Sequence, residues 1–156
     1  MGNPATPPFL ILDTSVVLKW FREKGEADVA EARKLREAFL SRRCALGAPD
    51  LLLIEVANAL TAGHRASPTE VSETIKTILE IGLHLFELQF PTLVKSIEMA
   101  SAYGLAVYDS YFLAVAIESG GLLVTADEAF LRKVKAHVNI TSLRDFRLPD
   151  EEQDHS

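Results

Sequence analysis

At 156 residues, with 48% hydrophobic and 24% charged positions, the chain has the size and composition of one globular domain with a full core of its own. No window is long and apolar enough to cross a bilayer, so no membrane span is expected, and "MGNPATPPF" has neither the charged nor the apolar region of a signal peptide. The net charge of −6 excludes less than it suggests: four acids sit in the tail "PDEEQDHS", and without them 18 acids face 16 bases, which leaves a nucleic-acid partner open. The lone Cys44 rules out an internal disulfide and suits a reducing cytoplasm.

"FLILD" (9–13) is a short apolar run ending in an acid, the pattern of a buried parallel strand, and "TSVVLKWFRE" continues as a helical turn or two. "GEADVAEARKLREAFLSRR" (25–43) sets Val29, Leu35, Phe39 and Leu40 at helical spacing between charges and predicts a surface helix. "CALGAP" (44–49) reads as a second strand. Pro49 and Asp50 then supply helix-start chemistry for "LLLIEVANALTAG". Between Asp50 and His64 the only formal charge is Glu55. Ser67, Pro68 and Glu70 spell a capping box whose helix runs to about Gly82. "HLFELQ" (84–89) alternates like a third strand, and the helix over 92–104 is closed by Gly104. Another helix spans 107–121. "LLVTAD" (122–127) is a strand that again ends in an acid, "EAFLRKVK" is helical, and "VNITSL" (138–143) is the last strand. This alternation predicts a three-layer α/β/α sandwich around a parallel sheet of about five strands. It divides the chain into a flexible leader (1–8), one domain (9–147) and an acidic, disordered tail (148–156).

In a parallel α/β sheet, ligands bind outside the carboxyl ends of the strands. Asp13 and Asp127 end strands at that edge. Glu55 and Asp109 stand near helix starts inside apolar sequence, so all four acids can converge there. Each also has a plainer reading: Asp13, Asp127 and Asp109 as helix caps, Glu55 as the exposed edge of an amphipathic helix. Gathered carboxylates with no counter-charge repel and raise one another's pKa. Such a hard-oxygen set is what Mg²⁺ or Mn²⁺ binds. A divalent ion held this way lowers the pKa of a bound water and neutralises charge developing on a phosphate. The chemistry implied is metal-assisted phosphodiester hydrolysis, with the metal as the partner of an otherwise costly Glu55. His64, His84, His137 and His155 lie scattered and give no zinc pattern.

"ILDTSVVLKWF", then "APDLLLIEVANAL" with Asn58 after its glutamate, then "YGLAVYDSYFLAVAIESGGLLVTAD" form an ordered set. Over roughly residues 9–146 that set resembles the PIN-domain family, and within it the VapC-type toxins of bacterial and archaeal toxin–antitoxin pairs. The resemblance implies a Mg²⁺- or Mn²⁺-dependent endonuclease of single-stranded RNA, leaving 5′-phosphate and 3′-hydroxyl ends. It implies Asp13, Glu55, Asp109 and Asp127 as the acidic quartet, with Asp13 and Asp109 as direct metal ligands. Glu55 and Asp127 would hold metal-bound waters or a second ion, and Thr125 would turn its hydroxyl toward the cluster. Thr14 and Ser15 read either as supports of the acids or as caps of the first helix. A homodimer is implied too, as is an antitoxin that lays an amphipathic segment into a groove of the early helices. A partly exposed Trp20 or Phe21 would serve that groove, although core packing is the default for Val17, Trp20 and Phe21.

The basic residues Lys19, Arg22, Arg65, Arg132, Lys133 and Lys135 are spread out and read as a solvated face before any phosphate site. For Tyr108 and Tyr111, core packing ranks above base stacking, and Glu128 and Asp145 read as surface acids. Three other functions compete. A housekeeping RNA-processing nuclease would carry the same residues. A phospho-accepting receiver domain would want a lysine after its last strand, where "ITSLRDF" has arginine, and would leave Glu55 without a role. A non-catalytic binding module would have no use for an intact acidic quartet.

Overall fold

The computed structural model describes residues 6–22, 26–134, 139–149 and 151. Lys135, His137, His155 and the tail from 152 lie outside them, as do residues 1–5 of the leader. Five strands form one parallel sheet: β1 (Phe9–Leu12), β2 (Ala45–Pro49), β3 (His84–Phe86), β4 (Leu122–Thr125) and β5 (Ile140–Ser142). Their order is β3-β2-β1-β4-β5. Ile11 is in register with both Gly47 and Leu123, so β1 is the central strand.

Among the described residues seven α-helices fill the crossovers: α1 (Thr14–Leu18), α2 (Val29–Leu40), α3 (Leu51–Asn58), α4 (Pro68–Ile81), α5 (Phe90–Tyr103), α6 (Val107–Ser119) and α7 (Glu128–Val134). From β1 to β3 the chain steps toward one edge; from β3 it crosses to β4 and β5 on the other side. Right-handed crossovers therefore place α1–α4 on one face and α5–α7 on the opposite face. The expected three-layer sandwich is the observed one.

The core forms because both faces of the sheet are covered. Leu10, Ile11, Leu12, Leu46, Leu123 and Val124 are buried between Val16, Val17, Leu52 and Val56 on one side and Phe112 and Leu113 on the other. Helix α6 lies across β1, β2 and β4. Every residue from Ser110 to Ala116 is buried, which explains why that segment lacks a polar stripe. Among the described residues no single helix is long and apolar enough to cross a membrane.

Several boundaries differ from the sequence reading. Helix α2 begins only at Val29, because Asp28 takes a left-handed φ of 60°. Its buried face is Ala32, Leu35 and Ala38, while Leu40 is 61% exposed. Asp50 does not cap α3: its backbone is already helical, its side chain caps nothing, and its N–H donates to Phe86 O at 2.9 Å. The helix expected through Gly63 ends at Asn58 and passes into a π-helical turn, Ala59–Gly63. Ser67 and Glu70 do form the reciprocal capping box, and Gly82 and Gly104 close α4 and α5 in the left-handed conformation that glycine adopts freely. β3 stops at Phe86 because α5 starts earlier than expected, at Phe90 with Pro91 in its first turn. Packing reaches at least Leu148, which is 2% exposed; Glu151 Oε2 accepts from its N–H at 3.2 Å.

Candidate active site

The strand order reverses between β1 and β4, which is the switch point where an open α/β sheet leaves a crevice. Asp13 follows β1 there and Thr125 ends β4, with Asp127 two residues on. The Asp13 N–H donates to Val124 O at 3.0 Å, so the acid is pinned to the neighbouring strand rather than to its own loop.

A hydroxyl network fixes its carboxylate. Ser15 Oγ donates to Asp13 Oδ2 at 2.5 Å and Thr125 Oγ1 donates to the same oxygen at 2.9 Å. Ala126 N–H donates to Ser15 Oγ, and Asp127 N–H to Thr125 Oγ1, both at 3.0 Å. Thr125 is fully buried, so its hydroxyl is held from two directions. Ser15 and Thr14 are not caps of α1: Ser15 serves Asp13, and Thr14 Oγ1 donates to Glu55 Oε2 at 2.6 Å. The capping reading does hold for one acid, because Asp127 Oδ1 accepts from Phe130 N–H at 3.1 Å at the start of α7.

Glu55 is half-buried in the middle of α3, and its Oε1 is buried with no hydrogen-bond partner. Asp109 lies half-buried in the first turn of α6. None of the four acids forms an ion pair among the described residues. Their charges act on one another. Burial lifts the Asp13 carboxyl above its usual range against its two hydroxyl donors, and Asp127 adds to the lift. Burial, with Asp13 and Asp109 adding, pushes Glu55 to about 7 in spite of the Thr14 hydrogen bond. Asp109 rises to about 6 through burial, then Asp13 and Asp127, with Lys133 opposing. Such mutual elevation is the expected state of carboxylates gathered without a counter-charge.

These residues fit a hard divalent cation by donor type and by the orphaned Glu55 oxygen. Among the described residues, however, no three His, Cys, Asp or Glu side chains form a set that encloses an ion directly. Mg²⁺ is commonly held by one or two carboxylates, with waters completing its shell.

The remaining candidates fall into place around this centre. Trp20 is 4% exposed and its Nε1 donates to Ala32 O at 2.8 Å, so it is a core residue; Phe21 packs partly against the same core. Tyr111 is buried and its hydroxyl accepts from Gln89 N–H. Tyr108, grouped with it in the sequence, is instead 57% exposed and lines an opening beside Glu55. Lys19 is neither solvated nor a phosphate ligand: it is buried, donating to Glu26 Oε2 at 3.0 Å and Ala27 O at 2.7 Å. Arg22 lies 3.8 Å from the same glutamate. Lys133, on an exposed turn of α7, is the cation whose field reaches Asp109. Glu128 and Asp145 are exposed, with Glu128 facing Arg144. Sequence reasoning missed Leu51 and Ile54, which flank Glu55; they look like any other apolar residues of α3.

The PIN domain family model matches residues 10–136, from β1 past the end of α7. No curated protein matches the chain significantly. Among solved structures, a toxin–antitoxin complex from Klebsiella pneumoniae is similar at 16% identity and a TM-score of 0.64, covering 86% of this chain and 97% of that one. The sarcin–ricin-loop-cleaving toxin VapC20 of Mycobacterium tuberculosis is similar at 15% identity and a TM-score of 0.64, covering 83% and 98%. A Pyrobaculum aerophilum protein is similar at 22% identity and a TM-score of 0.63, covering 89% and 85%. At these identities the likeness to each structure is one of fold. Matched by the family model over most of its length, the chain belongs to the PIN domain family.

Proposed function

We propose that this chain is a divalent-metal-dependent endoribonuclease of single-stranded RNA, acting as the toxin of a VapBC-type toxin–antitoxin pair in the cytoplasm. The observation that carries the reading is the gathering of Asp13, Glu55, Asp109 and Asp127 at the switch point with no ion-pair partner among the described residues, where burial and the neighbouring acids raise the pKa values of Asp13, Glu55 and Asp109. Asp13 and Asp109 would hold Mg²⁺ or Mn²⁺ directly, and Glu55 and Asp127 through water. A bound ion would supply the positive charge that stabilises a phosphate in the transition state. The chain's own part is to hold the carboxylates: Ser15 and Thr125 orient Asp13, Thr14 orients Glu55, and Phe130 N–H orients Asp127.

The toxin assignment draws on the toxin–antitoxin complexes among similar folds, and a cognate VapB-like antitoxin is the partner it calls for. A second copy of the chain is the other. On α5, Phe90 is 76% exposed and Val94 and Ile97 share its face, a stripe that no described residue covers. A second copy would lay its own α5 stripe against this one.

The test is incubation of purified, antitoxin-free protein with tRNA, rRNA and mRNA in Mg²⁺, Mn²⁺ or EDTA. Discrete fragments with 5′-phosphate ends in either metal, and intact RNA in EDTA, are expected. Cutting in EDTA rejects the reading.

A further inference from the structure

Beside Glu55 the surface opens into a hollow of about 480 Å³ between α3 and the start of α6. Leu51, Ile54 and Asn58 line it from successive turns of α3, Tyr108 from α6, and the hydrogen-bonded Thr14 and Glu55 from below. Ile54 is 69% exposed and Tyr108 57% exposed, so two large apolar surfaces stand in water with no described residue covering them. A hollow of this size is in the range that holds a small planar group.

We propose that the hollow binds one unpaired nucleobase of the RNA strand, stacked on Tyr108 and Ile54, next to the phosphodiester held at the acids. The inference rests on the nuclease reading and extends it to a substrate subsite. Three features choose a base over other occupants. Glu55 is the only charged residue among the described ones that line the hollow, so a phosphate finds no cation there. Tyr108 directly precedes Asp109, which puts the stacking surface one residue from the candidate metal ligand. Glu55 Oε1 is already withdrawn from water without a donor, and an apolar peptide side chain in the hollow would leave it so. A base has polar edges and tolerates that floor. Asn58, exposed on the rim, carries both a donor and an acceptor for a base edge. Stacking on a single aromatic ring is sequence-tolerant, as every base has a π-face.

The experiment is fluorescence anisotropy in Ca²⁺ with two end-labelled strands of equal length, a single-stranded RNA and its abasic ribose-phosphate counterpart. Wild-type protein is expected to bind the base-bearing strand about tenfold more tightly. Tyr108→Ala should erase that preference by weakening only the base-bearing strand, and Tyr108→Phe should keep it. Because Tyr108 is exposed, neither variant disturbs the core. A wild-type protein that binds both strands alike, or a Tyr108→Ala variant that keeps the preference, overturns the base pocket and leaves the nuclease reading standing. A wild-type protein that binds neither strand overturns both.

Discussion

The Thr14 hydroxyl donates to Glu55 Oε2 at 2.6 Å, tying the first turn of α1 to the middle of α3 across 41 positions of sequence. With Oε1 buried and unpartnered, the Thr14 hydroxyl is the one donor this carboxylate has among the described residues. Thr14→Val keeps the shape and removes the donor. It is expected to destabilise the protein by about 1–2 kcal/mol at pH 8, where Glu55 is charged, and by less at pH 5. Thr14→Ser should stay close to wild type. Urea denaturation at the two pH values reads the difference, and an equal loss for Val and Ser would place the effect in packing instead.

The metal-free protein should lose stability as pH rises. Glu55 and Asp109 titrate near 4.5 and 3.8 when unfolded, but at about 7 and about 6 in the fold. Between those limits the folded state holds more protons, so the stability they contribute is fully present below pH about 4 and gone above about 7. The Glu55 shift alone corresponds to at most about 3 kcal/mol, and the half-buried setting of the residue reduces this to about 1–2 kcal/mol. In EDTA the melting temperature is therefore expected to fall from pH 5 to pH 8. Glu55→Gln should flatten that slope, and Mn²⁺ should restore stability at pH 8 more than at pH 5. A melting temperature that climbs over this window in EDTA contradicts the raised pKa values.

Thr125 links two of the acids, donating to Asp13 Oδ2 and accepting from Asp127 N–H while fully buried. Thr125→Val leaves the Asp127 N–H without an acceptor and Asp13 Oδ2 with Ser15 as its one remaining donor. The expected loss is about 1–3 kcal/mol of stability, with RNA cleavage falling by about tenfold or more, since the Asp13 carboxylate loses one of its two donors and the Asp127 backbone its tether. Thr125→Ser should recover most of each. Thermal melts and initial cleavage rates on the same preparations distinguish a misplaced site from a weakened fold.

The alternation of short apolar strands with helices is enough to reveal the sheet, because a parallel strand buried on both faces has to be apolar throughout. The Ser67–Glu70 capping box is equally plain, being a contact of only three residues' span. Long-range partners are not legible. Nothing near Thr14 announces that α1 packs on α3, so its hydroxyl reads equally as a cap. Lys19 reads as solvated because its ion pair and the carbonyl of Ala27 arise from the turn beyond α1. The π-helical turn leaves no mark, since "ALTAG" continues a helical pattern. Tyr108 and Tyr111 look alike at three residues' separation, yet Tyr111 lies in the core and Tyr108 at the rim of the site.

The α5 face supplies a test of self-association. Phe90→Asp with Ile97→Asp should turn a dimer into a monomer in light scattering. A mass unchanged by the double aspartate variant removes α5 from the interface.

Most direct of all is RNA cleavage by wild-type and Asp109→Asn proteins side by side in Mn²⁺. The substitution keeps the side-chain volume and removes the charge, so the fold should be unaffected and metal binding impaired. Cleavage by the wild type and a loss of at least about a hundredfold in the variant are expected. A variant that cuts as fast as the wild type would contradict the assignment of these acids as the metal-binding, RNA-cutting centre.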